Sequence, residues 1–224
     1  MATLRLAIPR LDHDGAMRAQ RRAFDFTLLF SVPFVAAFIT VPDEIMRALF
    51  ARGAFSQADA IAAGSTLAAY AIGLIPFVLI RSAVATFYAR KDTATPVRAS
   101  LTGIAVNVAL KVALMGSLAQ IGLALATAIG VWTNLLLVLF FAVRRGFLVF
   151  DRAWLMSLGK FLLTGIILAA AFWLIARFSA SSFASMRFHD ELTLVLLAAG
   201  GTIVYALAIL VLFGRKWLIS LVRG

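Results

Sequence analysis

The chain has 224 residues, of which 63% are hydrophobic and 14% are charged, and its mean hydropathy is +1.00. A soluble domain is about half apolar and about a quarter charged, so a chain this short would expose apolar surface to water. The composition therefore nearly excludes a soluble enzyme, excludes a disordered chain and indicates an integral membrane protein. The net charge of +11 needs its own explanation, and the absence of cysteine excludes disulfides and thiolate chemistry.

Six apolar segments have about the length that a helix needs to cross a hydrocarbon core of about 30 Å. They lack the strict alternation of β-barrel strands, so an all-α fold with six transmembrane helices is predicted. Pro33 and Pro76 remove backbone hydrogen bonds within the first two segments and predict kinks there. The six segments are residues 26–41, 66–88, 97–118, 121–143, 154–176 and 192–213.

The loop between the first two segments carries helix signals of its own. Asp43 and Glu44 suit a helix N-terminus, and Gly53 suits a helix end. Ser56 and Asp59 have the spacing of a capping box. An ordered loop with the shape of a helical hairpin is therefore predicted.

The basic residues explain the net charge by their distribution among the loops. With both ends of the chain in the cytoplasm, 14 of the 21 Lys and Arg residues fall on inner segments and four on outer ones, and three lie within or beside the spans. This bias supports six spans with both termini cytoplasmic. Because the charges do not form one continuous face, no nucleic-acid partner is expected.

Small residues recur along the fourth segment at Gly122, Ala126 and Gly130. A stripe with this spacing allows helices to approach closely, so it predicts packing and not chemistry. Asn134 on the same segment is expected to form an interhelical hydrogen bond.

Five polar residues are candidates for contact with an anionic substrate. Arg81 lies within the second span, where the alternative is a side chain that snorkels to the interface. Lys111 and Asn107 share one face of the third span, where the alternative is a structural interhelical bond. Arg47 and Arg52 can meet a headgroup from the outer loop, or can pair with acidic neighbours or lipid phosphates. Asp and Glu are expected only in loops or at span ends, which disfavours a proton-carrying carboxylate.

The sequence lacks the residue patterns that enzymatic chemistry needs. His13 and His189 are expected on opposite sides of the membrane, and no metal-binding, nucleophile-elbow or phosphate-loop motif is present. We therefore predict a protein that is not an enzyme, with no catalytic residue, no metal site and no cofactor.

Three stretches of the sequence form recognisable motifs. The most specific is the Phe-Tyr-Ala-Arg-x-Asp-Thr-x-Thr-Pro pattern at residues 87–96. The other two are the Leu-Phe-x-Arg-Gly-x-Phe element within residues 47–59 and the segment at residues 69–74. Together they resemble the MurJ (MviN) family of lipid II flippases in the MOP exporter superfamily.

This resemblance implies only part of a fourteen-span protein. Residues 1–150 would be the last four helices of a second, MOP/MATE-like lobe, and residues 151–224 two additional C-terminal helices that form a groove for a lipid tail. The complete protein would move undecaprenyl-linked peptidoglycan precursor across the bacterial inner membrane by alternating access. Its partners would be that anionic lipid, membrane lipids and a first, N-terminal lobe expected outside this chain.

The resemblance also bears on two candidates. Arg81 falls where the family often has a basic residue, whereas Lys111 falls where a polar residue, often Asn, is expected. The alternatives are a multidrug or polysaccharide exporter of the same superfamily and a structural membrane module that transports nothing. An enzyme acting on polyprenyl phosphates is disfavoured by the lack of suitable acids and histidines.

Overall fold

A computed structural model describes the backbone of residues 2–182 and 188–222, with side chains omitted at residues 2–14, 16, 182, 216 and 218–222. The described backbone is helical with no strand, which confirms the all-α prediction. His13 lies outside the described side chains. The helices are α1 (Ala2–Thr40), α2 (Pro42–Phe50), α3 (Gln57–Tyr88), α4 (Ala94–Arg144), α5 (Arg152–Ser182) and α6 (His189–Val222).

Five of these helices, all but α2, are long and apolar enough to cross a membrane. Six spans were predicted, and the number of long helices is one lower because α4 contains both the third and the fourth predicted spans in its 51 residues. Its regular geometry breaks at Ala119, where φ is 47° and ψ is −127°. This position falls in the short gap predicted between residues 118 and 121.

The two halves of α4, residues 94–118 and 120–144, run antiparallel and pack closely. A methyl group at Gly103 would lie 2.7 Å from the carbonyl oxygen of Gly130, and one at Gly122 would lie 2.6 Å from that of Leu114. Only glycine permits such an approach, which confirms the packing predicted for the small-residue stripe. With the two halves of α4 counted separately, the apolar helices are consistent with the six predicted spans.

α1 is the central element of the bundle. It packs against α3 on one side and against α5 on the other, while α4 packs on α3 and α6 packs on α5. The main core joins Phe24 and Leu28 of α1 to Leu79, Leu135 and Phe161 of the surrounding helices. Lipid tails are as apolar as these side chains, so close packing rather than water exclusion stabilises the contacts within a membrane.

Both intramembrane prolines lie within continuous helices, and each frees one carbonyl. Pro76 has no N–H to donate to Ile72, and the Ile72 oxygen instead accepts a hydrogen bond from Trp132 Nε1 at 2.9 Å. Pro33 leaves the Leu29 carbonyl free in the same way, and the Tyr205 hydroxyl donates to it. Each freed carbonyl thus receives a donor from another helix.

The two ends of the bundle are closed by capped turns. At the α2 end, the predicted capping box is present: Ser56 Oγ accepts from the Asp59 backbone, and the Asp59 carboxylate accepts from the Ser56 backbone at 2.9 Å. Gly53, with φ of 63°, follows the end of α2 as predicted.

At the opposite end of the bundle, Asp92 accepts from Thr95 N at 3.1 Å and from the Thr95 hydroxyl at 2.8 Å. The Asp-Thr-x-Thr part of the signature therefore caps the start of α4.

Candidate lipid- and anion-binding sites

Arg47 and Arg52 join α2 to the start of α6 through ion pairs. Arg47 Nε lies 3.3 Å from Asp190, and an Arg47 terminal nitrogen lies 3.8 Å from Glu44. Arg52 lies 3.2 Å from Glu191 and also donates to the Ala48 carbonyl at 3.4 Å. Pairing of Arg47 with Glu44 was one of the sequence alternatives.

The partners on α6 were missed by sequence reasoning, although paired acids at a helix start were a visible signal. Exposed ion pairs contribute about 0–1 kcal/mol each, so their main effect here is to fix where α2 lies. The Arg52 side chain is still 68% exposed, whereas that of Arg47 is 26% exposed. Arg52 thus keeps donors available to a ligand, and Arg47 is largely engaged.

Asn107 and Lys111 differ in their surroundings despite sharing a helix. Asn107 lies inside the α4 hairpin: a methyl group at Gly130 would lie 2.7 Å from its Cβ. Its side-chain oxygen is buried without a hydrogen-bond partner, as is that of Asn134 across the same crossing. Lys111 is half-buried, and within the described residues it has no hydrogen bond or ion pair. The interhelical bond expected for Asn134 is therefore not formed.

Arg81 lines a crevice of about 490 Å³ at the basic end of the bundle, the end that holds the linkers 89–93 and 145–151. The crevice lies between α1 and α3, and Arg90 and Gln20 also line it. The Arg81 guanidinium carbon lies 5.8 Å from the Phe77 ring centre, and the side chain is exposed. Arg81 is thus neither buried in the bundle nor neutralised by a described carboxylate.

Asp25, directly before the first predicted apolar segment, is a buried acidic residue that sequence reasoning did not single out. It is 5% exposed within the candidate membrane-crossing part of α1, Met17–Thr40. Its carboxylate accepts a hydrogen bond from Ser157 Oγ on α5 at 2.8 Å. Its partner Ser157 is 132 residues away, so local sequence gives no sign that Asp25 is buried. A buried carboxylate in a span is a functional candidate as well as a link between helices.

Two apolar grooves flank α1. The larger, of about 830 Å³, lies between α1 and α6, and the smaller, of about 470 Å³, lies between α1 and α5. Leu29, Pro33 and Tyr205 line the larger groove, so the bond from the Tyr205 hydroxyl to Leu29 lies at its wall. Grooves with such linings suit hydrocarbon chains.

The described residues offer no group of three His, Asp or Glu side chains placed to share a metal ion. His189 begins α6 and lies 3.4 Å from Asp190.

Comparison with known proteins gives a consistent result. The sequence profile of the family described as lipid II flippase MurJ matches residues 5–195. A probable lipid II flippase MurJ of Rhizobium meliloti is 37% identical over 86% of this chain and 37% of its own length. One from Rhizobium tropici is 39% identical over 61% of this chain and 26% of its own length.

A solved structure described as lipid II flippase MurJ in an inward closed conformation has the same fold. Its TM-score is 0.75 over 92% of this chain and 41% of the solved chain, with 23% sequence identity. The present chain therefore spans well under half the length of the proteins that it resembles.

Proposed function

Because the chain belongs to the MurJ family of lipid II flippases, we propose that it is the C-terminal part of such a flippase. The complete protein would move undecaprenyl-linked peptidoglycan precursor across the bacterial inner membrane by alternating access. The family match over residues 5–195 is the observation that carries this proposal. Lipid translocation needs binding surfaces and two conformations but no catalytic residue.

The two parts of the chain would have different roles, in line with how the helices pack. Residues 1–150 would be the last four helices of the second lobe, and residues 151–224 the two additional helices. The groove of about 830 Å³ between α1 and α6 would hold part of the prenyl tail. Its apolar lining and its position at the junction of the two units support this role.

The headgroup of the substrate carries a pyrophosphate, which favours contact with Arg or Lys. Of the five candidate residues, Arg81, Lys111 and Arg52 retain donors that no described carboxylate fully occupies. Asn107 would support Lys111 from within the hairpin, and Arg47 would hold α2 over the outer end of the groove.

A first lobe, provided from outside this chain, would complete the cavity. Residues 94–118 are compatible with this expectation because they leave apolar side chains uncovered, with Val112 79% exposed and Met115 62% exposed. The multi-pass chain would lie in the inner membrane with both termini in the cytoplasm, as the loop charges indicate.

A chimera tests the proposal. The matched segment of the Rhizobium meliloti relative is replaced by this chain, and the product is expressed in cells depleted of their own flippase. We expect rescue of growth, and reduced rescue with Arg81→Gln or Lys111→Gln. Lys160→Gln is the matched control, because the Lys160 ammonium lies 5.2 Å from the Phe213 ring, away from the candidates. A chimera that inserts well but does not rescue would instead indicate a structural module.

Asp25 favours one second candidate, a proton-coupled exporter of drugs or polysaccharides from the same superfamily. Buried carboxylates within spans are typical of proton relays. In the chimera, Asp25→Asn with loss of drug or polysaccharide export and intact growth rescue would support this alternative.

A further inference from the structure

We propose that the crevice lined by Arg81, Arg90 and Gln20 binds the phosphate group of an anionic phospholipid in the cytoplasmic leaflet. This site requires that the chain is inserted with its basic end in the cytoplasm, as proposed above. It shares Arg81 with the proposed headgroup contacts, but lipid retention is measured without transport, so the two proposals can fail separately.

The crevice brings hydrogen-bond donors together and has no carboxylate in its lining. Arg90 donates to the Thr86 carbonyl at 2.9 Å, and its guanidinium carbon lies 4.4 Å from the Phe147 ring centre. These contacts hold the guanidinium in one orientation and leave most of its five N–H donors free. Gln20 Nε2 is buried without a hydrogen-bond partner, which is costly unless a ligand accepts from it.

The charge of the two arginines is not compensated within the described residues. The crevice lining contains no acidic side chain. Asp92 pairs with Arg145, and Asp151 pairs with Arg21 at 3.4 Å. Asp25 is occupied by Ser157 at 2.8 Å. Each acidic side chain that the structure describes near this end thus has its own partner, which leaves Arg81 and Arg90 able to bind an external anion.

The shape of the crevice favours a lipid as the source of the phosphate. Its volume of about 490 Å³ suits a headgroup and not a whole lipid, and Met17, Ala23 and Ala85 provide apolar walls beside the polar groups. Basic pockets between membrane helices at the cytoplasmic side are typical sites for anionic headgroups. Free phosphate offers the same oxygen atoms but gains nothing from the apolar walls.

Binding is measured on the purified full chain in detergent by native mass spectrometry. We expect phosphatidylglycerol to be retained more strongly than phosphatidylcholine, and retention to fall about tenfold in Arg81→Gln and in Arg90→Gln. Arg98→Gln removes the same charge from an exposed position outside the crevice and is expected to change retention less than twofold. Equal retention of the two lipids, or an equal loss in Arg98→Gln, would overturn the proposal.

A second measurement needs no variant. Phenylglyoxal labels exposed arginines, and peptide mass spectrometry reports the labelling of Arg81 and Arg90 individually. We expect phosphatidylglycerol to slow both reactions while leaving Arg98 unchanged, and millimolar inorganic phosphate to protect much less. Protection by phosphate equal to that by the lipid would assign the site to a soluble anion. No protection by either compound would overturn the proposal of a binding site.

Discussion

At both intramembrane prolines a backbone carbonyl has lost its intrahelical donor and accepts a hydrogen bond from another helix, but the two surroundings differ. At Pro76, the freed Ile72 carbonyl is bound by Trp132 where α3 and α4 are in close contact, since a methyl group at Gly73 would lie 2.8 Å from Ala128 Cα. At Pro33, the freed Leu29 carbonyl is bound by Tyr205 beside an apolar groove of about 830 Å³.

This difference indicates what each hydrogen bond does. Between α3 and α4, backbone packing already fixes the helices, so the Trp132 bond satisfies a carbonyl and adds little to the arrangement. Between α1 and α6 there are few other contacts, so the Tyr205 bond is a main direct link between these two helices, while packing on α5 and the ion pairs of Arg47 and Arg52 also position α6. We expect the width of the groove to depend in part on this hydroxyl.

The largest expected effect is steric. Gly73→Ala places a methyl group against the α4 backbone, and we expect it to lower the free energy of unfolding by about 2–3 kcal/mol. Gly200→Ala in α6 is the matched control, because the new methyl group there would meet only the Ile175 side chain, whose terminal Cδ1 at 2.7 Å belongs to a flexible side chain. Thermal unfolding in detergent should show a large loss for Gly73→Ala and a small one for Gly200→Ala. Equal losses would mean that the two regions are packed alike.

Removing the donors compares the two sites directly. Tyr205→Phe and Trp132→Phe should each cost about 1 kcal/mol, in line with interhelical hydrogen bonds in membranes. Only Tyr205→Phe should widen the distance distribution between spin labels on α1 and α6, measured by double electron–electron resonance. Widening of the α3–α4 distance by Trp132→Phe would contradict the comparison.

Restoring the backbone donor should make each aromatic donor redundant. In Pro33→Ala the new N–H can bond to Leu29, so Tyr205→Phe in that background should cost less than it does alone, with a coupling of about 1 kcal/mol. A double-mutant cycle with Pro76→Ala and Trp132→Phe provides the parallel measurement. Full additivity at either site would show that the proline does not free the carbonyl for its partner.

One substitution in the turn between the two halves of α4 is expected to stabilise the folded protein. Ala119 has positive φ, a conformation that glycine adopts without the steric cost of a side chain. Ala119→Gly is therefore expected to raise the unfolding free energy by about 0.5–1 kcal/mol, and Gln120→Gly is the control, expected to have no such benefit. Stabilisation by both substitutions would indicate a general effect of flexibility.

The smallest expected effect concerns Asp92 and the pH dependence of the melting temperature. Hydrogen bonds from Thr95 and the nearby Arg145 hold the pKa of Asp92 below its usual range. Because the folded-state pKa is depressed, the stabilisation is complete above the ordinary carboxylate pKa and is lost as pH falls through the lowered value. Melting temperatures measured from pH 6 to pH 3 should fall less steeply in Asp92→Asn than in the unmodified chain.

Much of the fold follows from local sequence. The length of the apolar segments, the Ser56–Asp59 capping box and the small-residue stripe each act within a few residues, and the structure contains all three. The burial of Asp25 was not predicted, because its partner Ser157 is 132 residues away on α5.

The partnerships at the sites were harder to predict because they depend on distant parts of the chain. Tyr205 and Leu29 are 176 residues apart, and Arg52 and Glu191 are 139 residues apart. A proline signals that a carbonyl is free, but nothing local tells which helix supplies the donor. The roles of Arg81, Lys111, Asn107, Arg47 and Arg52 stay predictions.

The abrupt reversal at Ala119 bears on how the protein is made. Almost no polar chain separates the two halves of α4, so hardly any hydrophilic mass has to be carried across the bilayer between them. A polypeptide with such a turn can enter the membrane as a preassembled helical pair, with backbone groups already satisfied and Gly103 against Gly130 from the start. Biogenesis of this part of the bundle would then be a single insertion event at the translocon rather than two.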